Sequence, residues 1–327
     1  QRLLLERGYE ALHDASQERT MPGGSLTGVF VGFSGSEFGA LLAASPAGSS
    51  VYAATGSSVS IAAGRLSYAL GLHGPCVAVD TACSAALVAC HGGVRALQLY
   101  ECGASLVAGV TLMLAPGVGV SFAVAGMTSA RGRSHTFDMR ADGYARGEAC
   151  GAVVLGGGGV ADALLGLLGS AVRQDGRSAS LTAPNGQAQQ GLLAAAWGDA
   201  GVSASELRLS EAHGTGTALG DPIEAGSLVG AVLASCGDDG LVESLVAGGI
   251  KANVGHAEPA AGMTGLLKLA VALRRGEAVP NAQLRSLNPH VGGALRSVRL
   301  GLPVQRAPVG AAEAWVGGVS SFGYAGT

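Results

Sequence analysis

The chain has 327 residues, 48% of them hydrophobic and 13% charged, with a formal charge of −3. A chain of that length and apolarity buries a large core, as one big α/β domain or two smaller ones, and is not disordered. No Lys/Arg cluster occurs, which argues against nucleic acid and anionic membrane surfaces as main partners, and six cysteines without CxxC spacing indicate neither a zinc knuckle nor a disulfide framework, so a reducing compartment is expected.

Taken in chain order, Gln1 to Ala15 predicts a helix, and its charges do not match a secretory signal. Gly28 to Gly32 predicts a short buried strand, and Ser57 to Leu70 a helix that includes Arg65. Pro75 to Val79 is apolar and β-branched and predicts another buried strand. Ala85 to Gln98, rich in Ala and Leu, predicts the helix that follows. From Cys102 to Ala130 there is no charge, yet six Gly and Pro residues punctuate the stretch. It reads as a buried strand over Ser105 to Val110, a loop and a second apolar element, not as a membrane span. Thr136-Phe137-Asp138 opens a polar loop running to Glu148, and Cys150 to Leu155 predicts a buried strand.

Gly156 to Gly159 lies between a strand and a helix but fails the G-x-G-x-x-G test of a dinucleotide site. It reads as a connection between two halves, 1–160 and 161–327. The second half predicts strands over Arg208 to Glu211 and Leu245 to Ile250, and a helix over Ala260 to Arg274. Asp221 and Pro222 read as the cap and first turn of another helix.

Cys83 falls at the turn between the Pro75–Val79 strand and its helix. Free N–H groups and the positive end of a helix dipole favour a thiolate at such a place, so Cys83 is a candidate nucleophile. The competing reading is a buried cysteine that only packs. His213 and His256 each follow a predicted strand in a Gly-rich turn. Open α/β sheets bind ligands beyond the carboxyl ends of their strands, so the three residues are candidates for one shared site. His13, His73, His91, His135 and His290 have no partner motif and are read as structural or solvated.

Three motif stretches carry a resemblance: Asp80-Thr81-Ala82-Cys83-Ser84; Glu211-Ala212-His213-Gly214-Thr215-Gly216-Thr217 with Gly220-Asp221-Pro222-Ile223-Glu224; and Lys251-Ala252-Asn253-Val254-Gly255-His256. With Ser320-Ser321-Phe322-Gly323-Tyr324-Ala325-Gly326-Thr327, and with supporting stretches at Arg65 to Tyr68, Phe137-Asp138 with Ala141 to Tyr144, and Leu181 to Asn185, the chain resembles the β-ketoacyl synthase family. It is most similar to ketosynthase domains of modular-type polyketide synthases.

The resemblance implies an α/β, thiolase-like fold: two similar α/β halves, each with a five-stranded sheet, in α-β-α-β-α layers. It implies a homodimer formed through the strand at about Cys76 to Asp80, and acyl carrier protein, acyl- and malonyl-loaded, as partner. No bound cofactor is implied; the carrier's phosphopantetheine arm delivers the substrate. The implied reaction loads an acyl chain on Cys83 and condenses it with a malonyl unit, with loss of carbon dioxide. By the same resemblance the backbone N–H groups of Cys83 and Tyr324 form the oxyanion hole. His213 and His256 hold the enolate oxygen, Lys251 paired with Glu258 supports them, and Thr215 and Thr217 bind the pantetheine arm. No metal is implied, and the compartment would be cytoplasmic or plastid-like.

Departures and alternatives accompany the resemblance. The family's usual Gly-Phe-Gly-Gly is here Gly323-Tyr324-Ala325-Gly326, which replaces the gating phenylalanine and adds a methyl where backbone freedom is expected. The family's opening strand, expected to be central in its sheet, would lie before Gln1, and its closing strand after Thr327. Two other functions fit parts of the pattern: a cysteine-dependent thioester hydrolase or peptidase, using Cys83 with His213, and a non-condensing ketosynthase-like scaffold or transacylase.

Overall fold

The computed structural model of the chain describes residues 1–15, 24–35, 37–157, 163–236, 245–309 and 315–327. The Gly156 to Gly159 connection and the boundary at 160 and 161 lie partly or wholly outside them. The chain divides into two units. The first comprises Gln1–Ser121, Gly147–Ala163 and Ala257–Met263. The second comprises Phe122–Arg146, Leu164–His256 and Thr264–Thr327.

In the first unit, helix α1 (Arg2–Ala15) precedes strand β1 (Thr27–Gly32). Helices α2 (Glu37–Ala43), α3 (Ala53–Ser57) and α4 (Val59–Leu70) follow. The predicted helix over Ser57 to Leu70 is thus broken at Ser58, whose extended backbone starts α4 afresh. Then come β2 (Cys76–Val79), α5 (Ala85–Gln98), β3 (Ala104–Thr111), α6 (Pro116–Val124, to Ser121 within this unit) and β4 (Ala149–Gly156).

These strands form one sheet in the order β2-β1-β3-β4, parallel except for β4, which runs antiparallel to β3. Strand residues alternate between faces. Val29, Val31, Leu106, Ala108 and Val110 join Leu4, Leu12, Leu66 and Leu70 in a core with α1 and α4. On the opposite face Gly93 of α5 sits against Phe30, Ser105 and Val107. Burial on both faces explains why β1 and β3 read as continuous apolar runs.

Three expectations are corrected. Pro75 to Val79 was expected to be buried, but β2 is an edge strand: Cys76 is exposed and Val77 is 40% exposed. An apolar, β-branched run looks the same whether a partner strand flanks it or not. Likewise Cys150 to Leu155 lies within β4, which is half-buried at the other edge. The opening strand expected before Gln1 was also expected to be central; the described strands leave no place for it between them, since β1 pairs with β2 over Val29 to Gly32 and with β3 over Thr27 to Gly32, and β3 pairs with β4.

The second unit contains α7 (Gly186–Ala200), β5 (Leu207–Glu211), α8 (Gly220–Cys236), β6 (Leu245–Gly248) and α9 (Lys251–Val254). They are followed by α10 (Ala261–Arg275, from Thr264 within this unit), β7 (Glu277–Ala278), α11 (Pro289–Ala294), β8 (Leu300–Gly301), β9 (Ala307–Pro308) and β10 (Val316–Val319). A parallel sheet runs β10-β5-β6-β8, and β7 pairs with β9. Trp197, Leu228, Val232, Leu245 and Ala247 form a core with α7 and α8. Leu209, Leu269 and Ala272, with Val246 and Val319 beside them, form another on the α10 side. Each described sheet has four strands, where the resemblance implies five.

The polar loop expected from Thr136 to Glu148 starts inside the protein: Thr136, Phe137 and Asp138 are buried, as are Ser134 and His135 before them, while Asp142 and Glu148 are exposed. No described helix is long and apolar enough to cross a membrane.

The end of β1 meets the start of α5 so closely that only glycine fits. A Cβ at Gly32 would lie 2.4 Å from Ala86 N and 2.5 Å from Ala86 Cα, backbone atoms that cannot swing aside. Gly32→Ala is therefore expected to cost about 1–3 kcal/mol of unfolding free energy, the usual range for overpacking. Gly64→Ala, inside α4 with nothing within 4 Å of the added carbon, is expected to be neutral or stabilising. Urea unfolding of the two variants beside the parent checks both signs.

Candidate active site

Cys83 lies one residue before Ser84, the N-cap of α5, and is half-buried. Its turn is held by its own polar groups. The Ala82 N–H donates to Asp80 Oδ1 at 3.0 Å, and the Ser84 hydroxyl donates to Thr81 O at 2.9 Å. Ala85 N–H donates to Ala82 O at 3.0 Å. Ala82 carries φ +54°, the left-handed region that side chains resist. A strained residue directly before the sulfur is the geometry of a nucleophile presented on a strand-to-helix elbow.

In the second unit, β5 leads to His213 and β6 leads through α9 to His256. The two imidazoles lie edge to face, 5.6 Å between centroids at 89°. His256 is fully buried, and the Tyr144 ring meets it edge-on at 4.9 Å. His213 is half-buried, with the Phe322 ring at 5.6 Å. Burial, with the ammonium of Lys251 nearby, holds both imidazoles well below their ordinary pKa, so both are neutral at physiological pH.

A neutral imidazole donates from one nitrogen and accepts at the other. The Phe322 N–H donates to His213 Nδ1 at 3.3 Å. Nδ1 is thereby the acceptor, and the His213 proton sits on Nε2.

Buried carboxylates hold the His213 turn. Glu224 accepts from His213 N–H at 2.6 Å and Gly214 N–H at 2.8 Å. Asp221 was expected to cap a helix, but α8 starts at Gly220 and the carboxylate points elsewhere. It accepts from Phe137 N–H at 2.7 Å and Gly216 N–H at 3.0 Å. Burial pushes Glu224 up to about 7 and Asp221 up to about 6.

The 134–146 segment forms a floor that the sequence reading missed. Thr136 Oγ1 donates to Gly214 O at 2.6 Å, and Gly143 N–H donates to Gly216 O at 3.0 Å. His256 N–H donates to Ala145 O at 2.7 Å. Gly216, at φ +78°, lies against His135, where a Cβ would come within 2.6 Å of the His135 backbone nitrogen. His135, read as solvated or in a polar loop, is a buried part of this floor. Only Phe137-Asp138 and Asp142-Gly143-Tyr144, as supporting stretches, had drawn attention to it.

The remaining predicted residues are placed as follows. Thr215 and Thr217 have their hydroxyls 3.3 Å apart, and Thr217 Oγ1 accepts from Gly220 N–H at 3.1 Å. One hydroxyl of the pair donates to the other, which leaves the second proton for another acceptor. Lys251 is buried at the first residue of α9. Glu258 begins a 3₁₀ turn in the first unit at φ +42°. Tyr324 is 48% exposed in a turn closed by Gly326 N–H to Gly323 O at 2.8 Å. The left-handed residue of that turn is Gly326, φ +87°, so the turn's backbone freedom lies there and not at Ala325. Among the described residues no group of three or more His, Cys, Asp or Glu is arranged to hold a metal.

Comparisons with known proteins agree with these motifs. Residues 1–158 match the β-ketoacyl synthase N-terminal domain and residues 165–285 match its C-terminal domain. The chain is 41% identical, over its whole length, to the spectinabilin polyketide synthase system protein NorC of Streptomyces orinoci, of which it covers 14%. It is 42% identical to a phenolphthiocerol/phthiocerol polyketide synthase polypeptide of Mycobacterium tuberculosis, of which it covers 21%. The chain thus spans about a fifth or less of these relatives. Among solved structures, the ketosynthase from module 6 of the bacillaene synthase of Bacillus subtilis matches 99% of this chain with TM-score 0.88 and 33% identity, and 57% of that chain is covered. An oxazolomycin ketosynthase domain from Streptomyces albus matches 99% of this chain with TM-score 0.91 and 33% identity, again covering 57% of that chain. On its motifs, its thiolase-like α/β architecture and these matches, the chain belongs to the β-ketoacyl synthase family, among the ketosynthase domains of polyketide synthases.

Proposed function

We propose that this chain catalyses decarboxylative condensation, with Cys83 as nucleophile and His213 and His256 as donors to the malonyl group. An acyl chain passes from the phosphopantetheine thiol of an acyl carrier protein to the Cys83 sulfur. A malonyl-carrier then binds and loses carbon dioxide, which leaves an enolate on its thioester oxygen. The two imidazole N–H groups hold that oxygen. The carbanion attacks the Cys83 thioester, the sulfur leaves as thiolate, and the β-ketoacyl chain stays on the carrier.

The observation that carries this reading is the hydrogen bond from Phe322 N–H to His213 Nδ1. It makes Nε2 a donor. A hydrolase base needs the reverse polarity: an acceptor nitrogen for the thiol proton, with the other nitrogen donating to an orienting group. The cysteine-hydrolase reading therefore gains nothing from this histidine, and neither does a scaffold that has lost its chemistry.

The supporting roles are part of the same proposal. The backbone N–H groups of Cys83 and Tyr324 hold the tetrahedral oxyanion, Lys251 with Glu258 supports the His256 region, and Thr215 and Thr217 bond the pantetheine amides. The exposed edge of β2 is the surface for homodimer pairing, since an open strand edge carries unpaired backbone groups. The halves 1–160 and 161–327 are proposed as a repeat, each with parallel strands that feed site-bearing turns.

Separate half-reactions test the assignment. In the full-length protein, Cys83→Gln is expected to abolish condensation and to keep malonyl decarboxylation measurable. His213→Ala or His256→Ala is expected to keep acyl uptake on Cys83 and to lower decarboxylation by roughly 10² or more, the usual loss for one oxyanion donor. Mass spectrometry of the acyl-enzyme, beside release of labelled carbon dioxide, reads both. Acylation lost in His213→Ala while decarboxylation continues would make His213 the thiol's base and end the proposal.

The titrations predict opposite stability trends. Both histidines are neutral when folded and protonate near 6.5 when unfolded. Their contribution is complete above that pH and is lost as pH falls through and below it. Glu224 runs the other way: its folded pKa, about 7, exceeds the ordinary 4.5, so its contribution is complete below 4.5 and lost as pH rises through 7. Relative to the parent, Glu224→Gln is therefore expected to gain stability between about pH 4.5 and 7 and to level off above 7. Urea midpoints across that range check the slope; a constant difference would mean that Glu224 does not titrate there.

A further inference from the structure

Three segments of the second unit that carry site residues meet at one residue, Glu211. Glu211 is the last residue of β5 and is 3% exposed. Its Oε1 accepts from Ile250 N–H at 2.6 Å, at the turn between β6 and α9. Its Oε2 pairs with Lys268 Nζ of α10 at 2.5 Å. Its backbone O accepts from Ser320 N–H at 3.0 Å, just beyond β10. In register, Glu211 stands opposite Gly248 of β6 and Val319 of β10.

Space is reserved for this pair. A Cβ at Gly248 would come within 2.7 Å of Lys268 Nζ and 3.2 Å of Glu211 Oε2. A Cβ at Gly265 would come within 3.2 Å of Glu211 Cγ. Each of the three tied segments runs on within a few residues to the site. β5 continues to His213, the Ile250 turn to Lys251 and His256, and Ser320 to Phe322, whose N–H sets the His213 proton.

We infer that the Glu211–Lys268 pair is a positioning device for the decarboxylation half-reaction, holding the His213 and His256 segments in register, while the Phe322 segment is tied to the same residue through its backbone carbonyl. The inference rests on the reading of the two histidines as donors to the malonyl group. Glu211 touches no reacting atom; it acts through the histidines. A buried ion pair is weak evidence of net stability, and its charges are replaceable by neutral groups without loss of folding in other proteins. What it fixes is direction. The carboxylate binds one backbone donor and one ammonium at set angles, and Lys268 reaches it from a separate helix. A shift of about 1 Å in the donors is enough to lower a rate by up to roughly 10².

The test uses the full-length protein. Glu211→Gln is expected to lower kcat for malonyl-carrier decarboxylation at least tenfold, with KM for the malonyl-carrier and the acyl-uptake burst on Cys83 unchanged. Lys268→Arg, which keeps the pair, is expected to retain most of the rate. Because Glu211→Gln leaves Lys268 buried beside a neutral partner and can unfold, Glu211→Gln with Lys268→Met is measured alongside. The double variant is expected to fold and to stay slow in decarboxylation. A folded double variant with parental decarboxylation would overturn the inference, as would equal losses in decarboxylation and acyl uptake. His213→Ala in the same assay keeps the two readings apart: if it is also unaffected in decarboxylation, the donor assignment itself has failed, whereas a slow His213→Ala beside a fast Glu211 variant sinks the positioning role alone.

Discussion

Burial decides the protonation of His213 and His256, and burial alone leaves the chemistry undecided. An imidazole kept neutral still has two tautomers, and they do opposite things to a thioester oxygen. The Phe322 N–H at Nδ1 chooses between them. That donor comes from the segment after β10, the histidine from the segment after β5, and the two strands are neighbours in a parallel sheet. The tautomer is thus set by strand pairing: a slip of one residue between β5 and β10 would present Phe322's neighbours to the ring instead. The rest of the site is organised to keep that pairing from slipping.

Two kinds of carboxylate share the task. Glu224 and Asp221 hold the turn after β5 from below, each through two or more backbone N–H groups, so the glycines at 214 and 216 keep positive φ without drifting. Glu211 holds the strand end itself. Carboxylates suit both places because one group accepts several hydrogen bonds at once, and buried backbone donors left without an acceptor are costly. The cost of burying the carboxylates appears in the raised values of Glu224 and Asp221. The turn after β5 is therefore held by two carboxylates, Asp221 and Glu224, whose values burial raises toward neutrality.

Much of this was legible before any coordinates. Helix α5 begins and ends where the Ala- and Leu-rich run does, because those residues favour the helix locally. Cys83, His213 and His256 stood out because each interrupts an apolar run with a turn signal. What could not be read was whatever depends on a distant partner. The edge position of β2 depends on which strands pair, and an apolar run carries no mark of that. The 134–138 segment looks polar in sequence and is buried because Asp221, over eighty residues away, accepts from Phe137. Asp138 is satisfied by the backbone of Arg285 and Ser286, farther still. Thr136 and Phe322 act through a single hydrogen bond each, which no spacing rule exposes.

The Cys83 turn shows the same economy in one place. Ala82 sits in the left-handed region at a cost of about 1–2 kcal/mol for a residue with a Cβ. Glycine would remove that cost but would also free the unfolded chain and let the elbow relax into other turns. Alanine keeps the smallest side chain that still narrows the choice. The strain is offset by bonds confined to a few neighbouring residues: Asp80 to Ala82, Ala82 to Ala85, and Ser84 to Thr81. None of these bonds involves the sulfur. The elbow is held by its flanking residues, and in the proposed mechanism acylation of the thiol leaves these particular bonds in place.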